Sequence, residues 1–114
     1  MDYNLKQTKI YESDVDESIL YIVNTLKDKN AASSLLEELE SCIKLITSFP
    51  YMCNEIDDNI LKALQIRFVI VKKYLLFYKV DEDKKTIYLI RFLHSKMDYQ
   101  NILSQTNLLC DSSK

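Results

Sequence analysis

The stretch LQIRFVIVKKYLLFYKVDEDKKTIYLIRFL, residues 64–93, decides the fold. Leu64, Ile66, Phe68 and Ile70 alternate with Gln65 and Arg67, then Val69 and Val71 fill the other parity. This period of two places a strand within residues 60–71. Lys72-Lys73 reads as a tight connection; with no Gly or Asn to take a left-handed backbone, a longer loop is the alternative. Tyr74 to Val80 is the next strand, Asp81 to Lys85 the turn, and Thr86 to Leu93 the last strand. Connections this short make the three strands antiparallel neighbours.

The last two strands are apolar on both parities, so both of their faces need cover. Upstream, residues 3–10 alternate in part and read as a short first strand. Asp14 and Glu17 then have capping-box spacing, and Val15, Ile19, Ile22 and Leu26 recur at steps of four, three and four, the stripe of an amphipathic helix. Asn30 is the expected N-cap of a second helix presenting Leu35, Leu39, Cys42 and Ile46, ended by Pro50. The predicted architecture is one α+β domain over residues 1–103. Its order is β-α-α-β-β-β, with the helical hairpin packed on one face of an antiparallel sheet and a short C-terminal helix at 98–103. Residues 104–114 are expected to form a weakly ordered tail. Little chain is left for the second sheet face, so exposed aromatic rings there are expected to mark an interaction surface.

The chain has 114 residues, 47% hydrophobic and 28% charged, and contains no glycine. An average sequence of this length carries about eight glycines. Their absence excludes P-loops and dinucleotide fingerprints, which need the backbone close to a phosphate. One histidine, His94, and three scattered cysteines, Cys42, Cys53 and Cys110, give no zinc-ligand spacing, so no metal and no cofactor are expected. The odd, unpaired cysteines fit a reducing compartment, and no secretory leader or membrane-length apolar run is evident. A cytoplasmic protein without membrane contact is the expectation. Residues 1–58 carry a net charge of −7 and residues 59–114 one of +5. The basic half could serve nucleic acid or an acidic partner, or the two halves could simply face each other.

Arg67, then Tyr74-Leu75-Leu76-Phe77-Tyr78-Lys79-Val80-Asp81, then Ile87 through Leu93 running into His94-Ser95-Lys96-Met97-Asp98-Tyr99, resemble the RelE/ParE toxins of bacterial type II toxin–antitoxin systems. Tyr21-Ile22, Ala31-Ala32 and Phe49-Pro50 agree with that resemblance, which spans residues 3–103. It implies a toxin neutralised by a cognate antitoxin in a hetero-oligomer. Two activities are implied by different branches. One is growth arrest by binding DNA gyrase, as in ParE-like members; the other is ribosome-dependent, metal-independent cleavage of mRNA, as in RelE-like members. A toxin fold serving only as an interaction module is a third possibility. Leu75 stands where the cleaving branch commonly has an arginine for the scissile phosphate, and Ser95, Lys96 and Met97 stand where the family has a glycine and paired arginines. The resemblance therefore favours the gyrase-binding branch.

For cleavage, a ribose 2′-hydroxyl must lose a proton while cations stabilise the phosphoryl oxygens. His94, Lys96 and Tyr99 are the catalytic candidates, with Arg67 as a further cation at the same strand end. The plain alternative for His94 is a hydrogen-bonded residue closing the sheet. Arg67, Lys72, Lys73 and Arg91 are candidate target-binding residues; the arginines could instead pair with helix carboxylates, and the lysines could be ordinary solvated surface. Tyr74, Phe77, Tyr78 and Phe92 are assigned to core or antitoxin contact.

Overall fold

The computed structural model describes residues 3–51, 54–55, 65–98 and 101–103. Its elements are β1 (Asn4–Gln7), α1 (Lys9–Leu20), a π-helical turn (Tyr21–Thr25), α2 (Lys29–Ser48), β2 (Asn54–Glu55), β3 (Ile66–Val71), β4 (Tyr74–Asp81) and β5 (Thr86–His94). Residues 101–103 are helical. The α+β fold, its helical hairpin and the short C-terminal helix match the reading from sequence. Expectations for residues 60–64, Tyr99, Cys53, Cys110 and the 104–114 tail lie outside the described residues.

The strands lie in the order β1-β5-β4-β3-β2. The β3–β4 and β4–β5 pairs are antiparallel, as their short connections require. Two details differ from the expectation. First, β1 runs parallel to β5, with Asn4 opposite Thr86, so the sheet is mixed at that edge. Nearly eighty residues separate the two strands, and a connection that long carries no constraint on direction. Second, β2 adds an edge strand, antiparallel to β3, that the reading from sequence did not include; between β3 and β4 the tight connection holds, Val71 pairing with Tyr74 across Lys72 and Lys73 alone. Lys72 takes the left-handed backbone, φ 56°, that glycine would normally supply.

Alternation sends Tyr74, Leu76, Tyr78 and Val80 into the cluster beneath the helices and Leu75 and Phe77 into a second cluster on the other face. In β5 the alternation slips. Tyr78 pairs with Leu89 and Phe77 with Arg91, leaving Ile90 as a bulge, so Leu89 and Phe92 share the helix-covered face at a step of three. The hydroxyl of Thr8 donates to the carbonyls of Leu89 (3.0 Å) and Ile90 (3.1 Å) at this bulge. The same oxygen accepts from the Tyr11 N–H and caps α1. The N-cap of α1 therefore lies six residues before Asp14, which is turned inward instead. Asp28, not Asn30, caps α2 by accepting from the Ala31 N–H at 3.0 Å.

The α2 stripe of Leu35, Leu39, Cys42 and Ile46 is buried as its spacing predicts, joined by Ala32. α1 lies over β5, whereas α2 leaves the π-turn and reaches β3. Tyr78 is sealed between them, and its hydroxyl donates to the Pro50 carbonyl at 2.7 Å. The second sheet face is not bare. Ile66, Leu75, Phe77, Ile90 and Leu93 form a buried cluster there with Leu103 from the C-terminal turn, itself fully buried. Tyr74, Phe77, Tyr78 and Phe92, expected in core or at an antitoxin contact, are all built into the two cores. Sealed rings of this size each contribute on the order of 2 kcal/mol by leaving water, so they serve the fold first.

Candidate functional site

One flank of α1 and the C-terminal end of β5 enclose an open cleft of about 590 Å3. Asp14, Glu17, Ser18 and Tyr21 line it because residues at i, i+3, i+4 and i+7 share one side of a helix. The opposite wall is Tyr74, Arg91, Phe92 and His94, with Lys96 and Met97 from the following turn. The Tyr74 ring stacks on Phe92 at 4.9 Å between centroids, and His94 meets Tyr74 edge-on at 5.1 Å. Cross-strand pairing fixes this arrangement, since Tyr74 stands opposite His94 and Leu76 opposite Phe92.

The turn after β5 is held by its backbone. Met97 N–H donates to the His94 carbonyl at 3.0 Å, and Ser95 N–H to the Lys73 carbonyl at 2.9 Å. The second bond ties this turn to the β3–β4 turn, so exposed Lys72, Lys73 and Lys96 gather at one end of the sheet around His94. His94 Nδ1 accepts from the Lys96 N–H at 3.1 Å. A neutral imidazole accepting at Nδ1 carries its proton on Nε2.

Arg91 is engaged inside the protein. Its Nε donates to Asp14 Oδ2 at 2.7 Å and its Nη2 to Asp14 Oδ1 at 3.0 Å, and the Phe92 N–H donates to Asp14 Oδ2 at 3.1 Å. Both side chains are largely buried. The guanidinium fork is thus spent on a carboxylate of α1, the pairing foreseen as its alternative role.

Arg67 is not part of the His94 cluster. It lies toward the other end of the sheet, over the Tyr51 ring at 4.9 Å, in a second concavity of about 550 Å3 that includes Lys79, Asp81 and Glu82. There the hydroxyls of Tyr51 (2.6 Å) and Tyr3 (2.9 Å) donate to Glu82 Oε1, and Lys85 closes an ion pair with the same carboxylate. The Lys85 bond, with help from both tyrosines, lowers the Glu82 carboxyl to about 2. Desolvation and the hydrogen bond to Glu82 push Tyr51 up to about 12.

Of the residues named from sequence, His94 and Lys96 therefore meet in one cleft, Lys72 and Lys73 flank it, and Arg67 stands apart. Glu17 and Tyr21 were missed as cleft residues. The signal was present in their spacing from Asp14, but the apolar stripe of the same helix masked it. Among the described residues no group of three or more His, Cys, Asp or Glu side chains could hold a metal ion, and no helix is long and apolar enough to cross a membrane.

Residues 5–99 match the family described as the ParE toxin of the type II toxin–antitoxin system parDE. The fold is similar to that in the chromosomal ParDE toxin–antitoxin system of P. aeruginosa, with TM-score 0.65 and 14% identity, over 82% of this chain and 97% of that one. It is also similar to the toxin–antitoxin complex RelBE2 of Mycobacterium tuberculosis, with TM-score 0.58 and 13% identity, over 82% of this chain and 99% of that one. No curated protein is matched by sequence.

Proposed function

Because the chain belongs to the ParE toxin family of type II toxin–antitoxin systems, we propose that it arrests growth by binding DNA gyrase and is neutralised by a cognate antitoxin. The gyrase reading is carried by the chemistry of the cleft. Cleaving RNA without metal requires a proton acceptor, a proton donor and cations that converge on the phosphoryl oxygens. Arg91 is already gripped by Asp14, and Leu75 is buried in the second core rather than supplying a cation. His94, when neutral and accepting at Nδ1, keeps no free ring nitrogen to act as a base. Lys96 is the one cation lining the cleft among the described residues that is not so engaged.

A cleft walled by Tyr21, Tyr74, Phe92 and Met97 instead suits side chains of a protein target, with the Lys72, Lys73 and Lys96 cluster steering an acidic surface toward it. Growth arrest then needs a surface and no chemistry of the toxin's own. Purified protein added to a gyrase supercoiling assay and to an in vitro translation reaction tests this. Inhibited supercoiling with intact translation is the expected result; cleaved mRNA with unaffected gyrase would replace the reading by ribonuclease action, with His94, Lys96 and Tyr99 as its candidate residues.

A further inference from the structure

His94 is the only histidine of the chain, and histidine is the side chain that changes charge between about pH 8 and 5. Its place in the cleft gives that change something to act on. Nδ1 accepts from the Lys96 N–H at 3.1 Å, a bond that exists only while this nitrogen carries no proton. The half-buried ring lines the cleft and meets Tyr74 edge-on. Two backbone bonds also hold the turn, from Ser95 N–H to the Lys73 carbonyl and from Met97 N–H to the His94 carbonyl. Neither uses the imidazole, so the ring can let go of Lys96 without unfolding the turn.

We infer that His94 is a protonation switch on the cleft. Neutral, the ring stays docked between Tyr74 and the Lys96 N–H. When Nδ1 takes a proton from solvent, two donors face each other, the ring is released, and its positive charge joins those of Lys72, Lys73 and Lys96. The other charged and titratable groups facing this place are Arg91 from β5, Tyr74 from β4, and Asp14, Glu17 and Tyr21 from α1. Asp14 is already taken by Arg91 and the Phe92 N–H. The end of the sheet that steers an acidic target then carries four clustered cations in place of three, so association quickens as pH falls. This consequence rests on the gyrase-binding reading; the switch itself belongs to the free protein.

Two measurements separate them. In the free protein, nuclear magnetic resonance follows the Lys96 amide and the imidazole ring protons from pH 8 to 5. The amide proton should move upfield with the same midpoint as the ring. His94→Gln, whose side-chain oxygen still accepts an N–H but does not titrate, should hold the Lys96 resonance constant, and circular dichroism checks that it is folded. A Lys96 amide that stays fixed while the ring titrates, or that moves equally in His94→Gln, overturns the inference. Association with purified gyrase at low salt is then compared between parent and His94→Gln at each pH, so that changes in gyrase itself cancel. The parent should gain about three-fold over the variant between pH 8 and 5.5. A flat ratio overturns the switch as a control on the cleft. No gyrase binding by either protein at any pH removes the gyrase reading, while the resonance titration still decides the switch.

Discussion

Asp14 and Arg91, separated by 77 residues, form a two-point ion pair that pins α1 to the bulge in β5. The Phe92 N–H, displaced by the bulge, completes the carboxylate's bonding. Removing one partner leaves a buried charge and a backbone donor without their acceptor. Asp14→Ala should therefore lower the free energy of unfolding by about 3 kcal/mol. The double replacement Asp14→Leu with Arg91→Met should lose clearly less, since apolar side chains of similar size replace a buried pair at small cost. Urea denaturation at constant m-value measures both; equal losses in the single and double variants would show that the pair's charge is not what matters.

Among the described residues four positions, Lys27, Gln65, Lys72 and Lys85, have positive φ in a chain that has no glycine. Each bears a Cβ where the left-handed backbone crowds it, at roughly 1 kcal/mol. Lys27→Gly and Lys72→Gly should each stabilise the protein by about 0.5–1 kcal/mol, offset in part by the greater freedom of glycine in the unfolded chain. Thermal melting reads this as a rise of a few degrees. Lys27→Ala and Lys72→Ala keep the Cβ and should give no such gain.

How far the sequence could be read depended on how local the cause was. The strands of residues 66–93 and the α2 stripe were legible because period and burial coincide over consecutive residues. Asp14 was misread as a cap because its spacing to Glu17 is local, whereas its true partner, Arg91, is brought near only by the fold. The parallel β1 and the bulge at Ile90 were not legible: no short loop fixes the direction of β1, and no glycine marks the bulge. Tyr74, Phe77, Tyr78 and Phe92 left core and partner contact both open, because two-sided apolar strands do not reveal how much cover the rest of the chain supplies. His94 and Lys96 were placed together because a single residue, Ser95, separates them in a tight turn. Arg67 needed the sheet register to show that it stands elsewhere.

Glu82 draws three donors from separate parts of the chain, Tyr3, Tyr51 and Lys85, and its carboxyl falls from 4.5 to about 2. A group whose pKa is lower folded than unfolded stabilises above its unfolded value and loses that contribution as pH falls through the folded one. The clamp should thus be at full strength above about pH 5 and fade between 4.5 and about 2. The Tyr51 hydroxyl moves the other way, up to about 12 from 10.0, so its contribution is complete below pH 10 and is lost as pH rises through about 12. Glu82→Gln should remove the acid-limb dependence and leave melting temperatures nearer those of the parent at pH 2 than at pH 7. A parent–variant difference that stays constant from pH 2 to 7 would show that Glu82 ionisation plays no part.

His94 separates the two modes of action more sharply than any other residue. If the protein cleaved RNA, loss of this imidazole would take away the only histidine, the side chain best suited to exchange protons near neutral pH, and activity should fall roughly 10²–10⁴-fold. The described geometry gives it a different employment: its ring packs edge-on to Tyr74 and accepts from the Lys96 N–H, shaping the wall and turn of the cleft. Under the binding mode, His94→Ala should keep growth arrest and gyrase inhibition within a few-fold, because the stacked Tyr74 and Phe92 rings and the Ser95–Lys73 backbone bond remain. Lys96→Ala should cost more, about ten-fold in association with gyrase and most at low salt, since an exposed cation acts mainly by steering an acidic target. Toxicity lost in a His94→Ala protein that is folded and still held by its antitoxin would reverse this order and put RNA cleavage first.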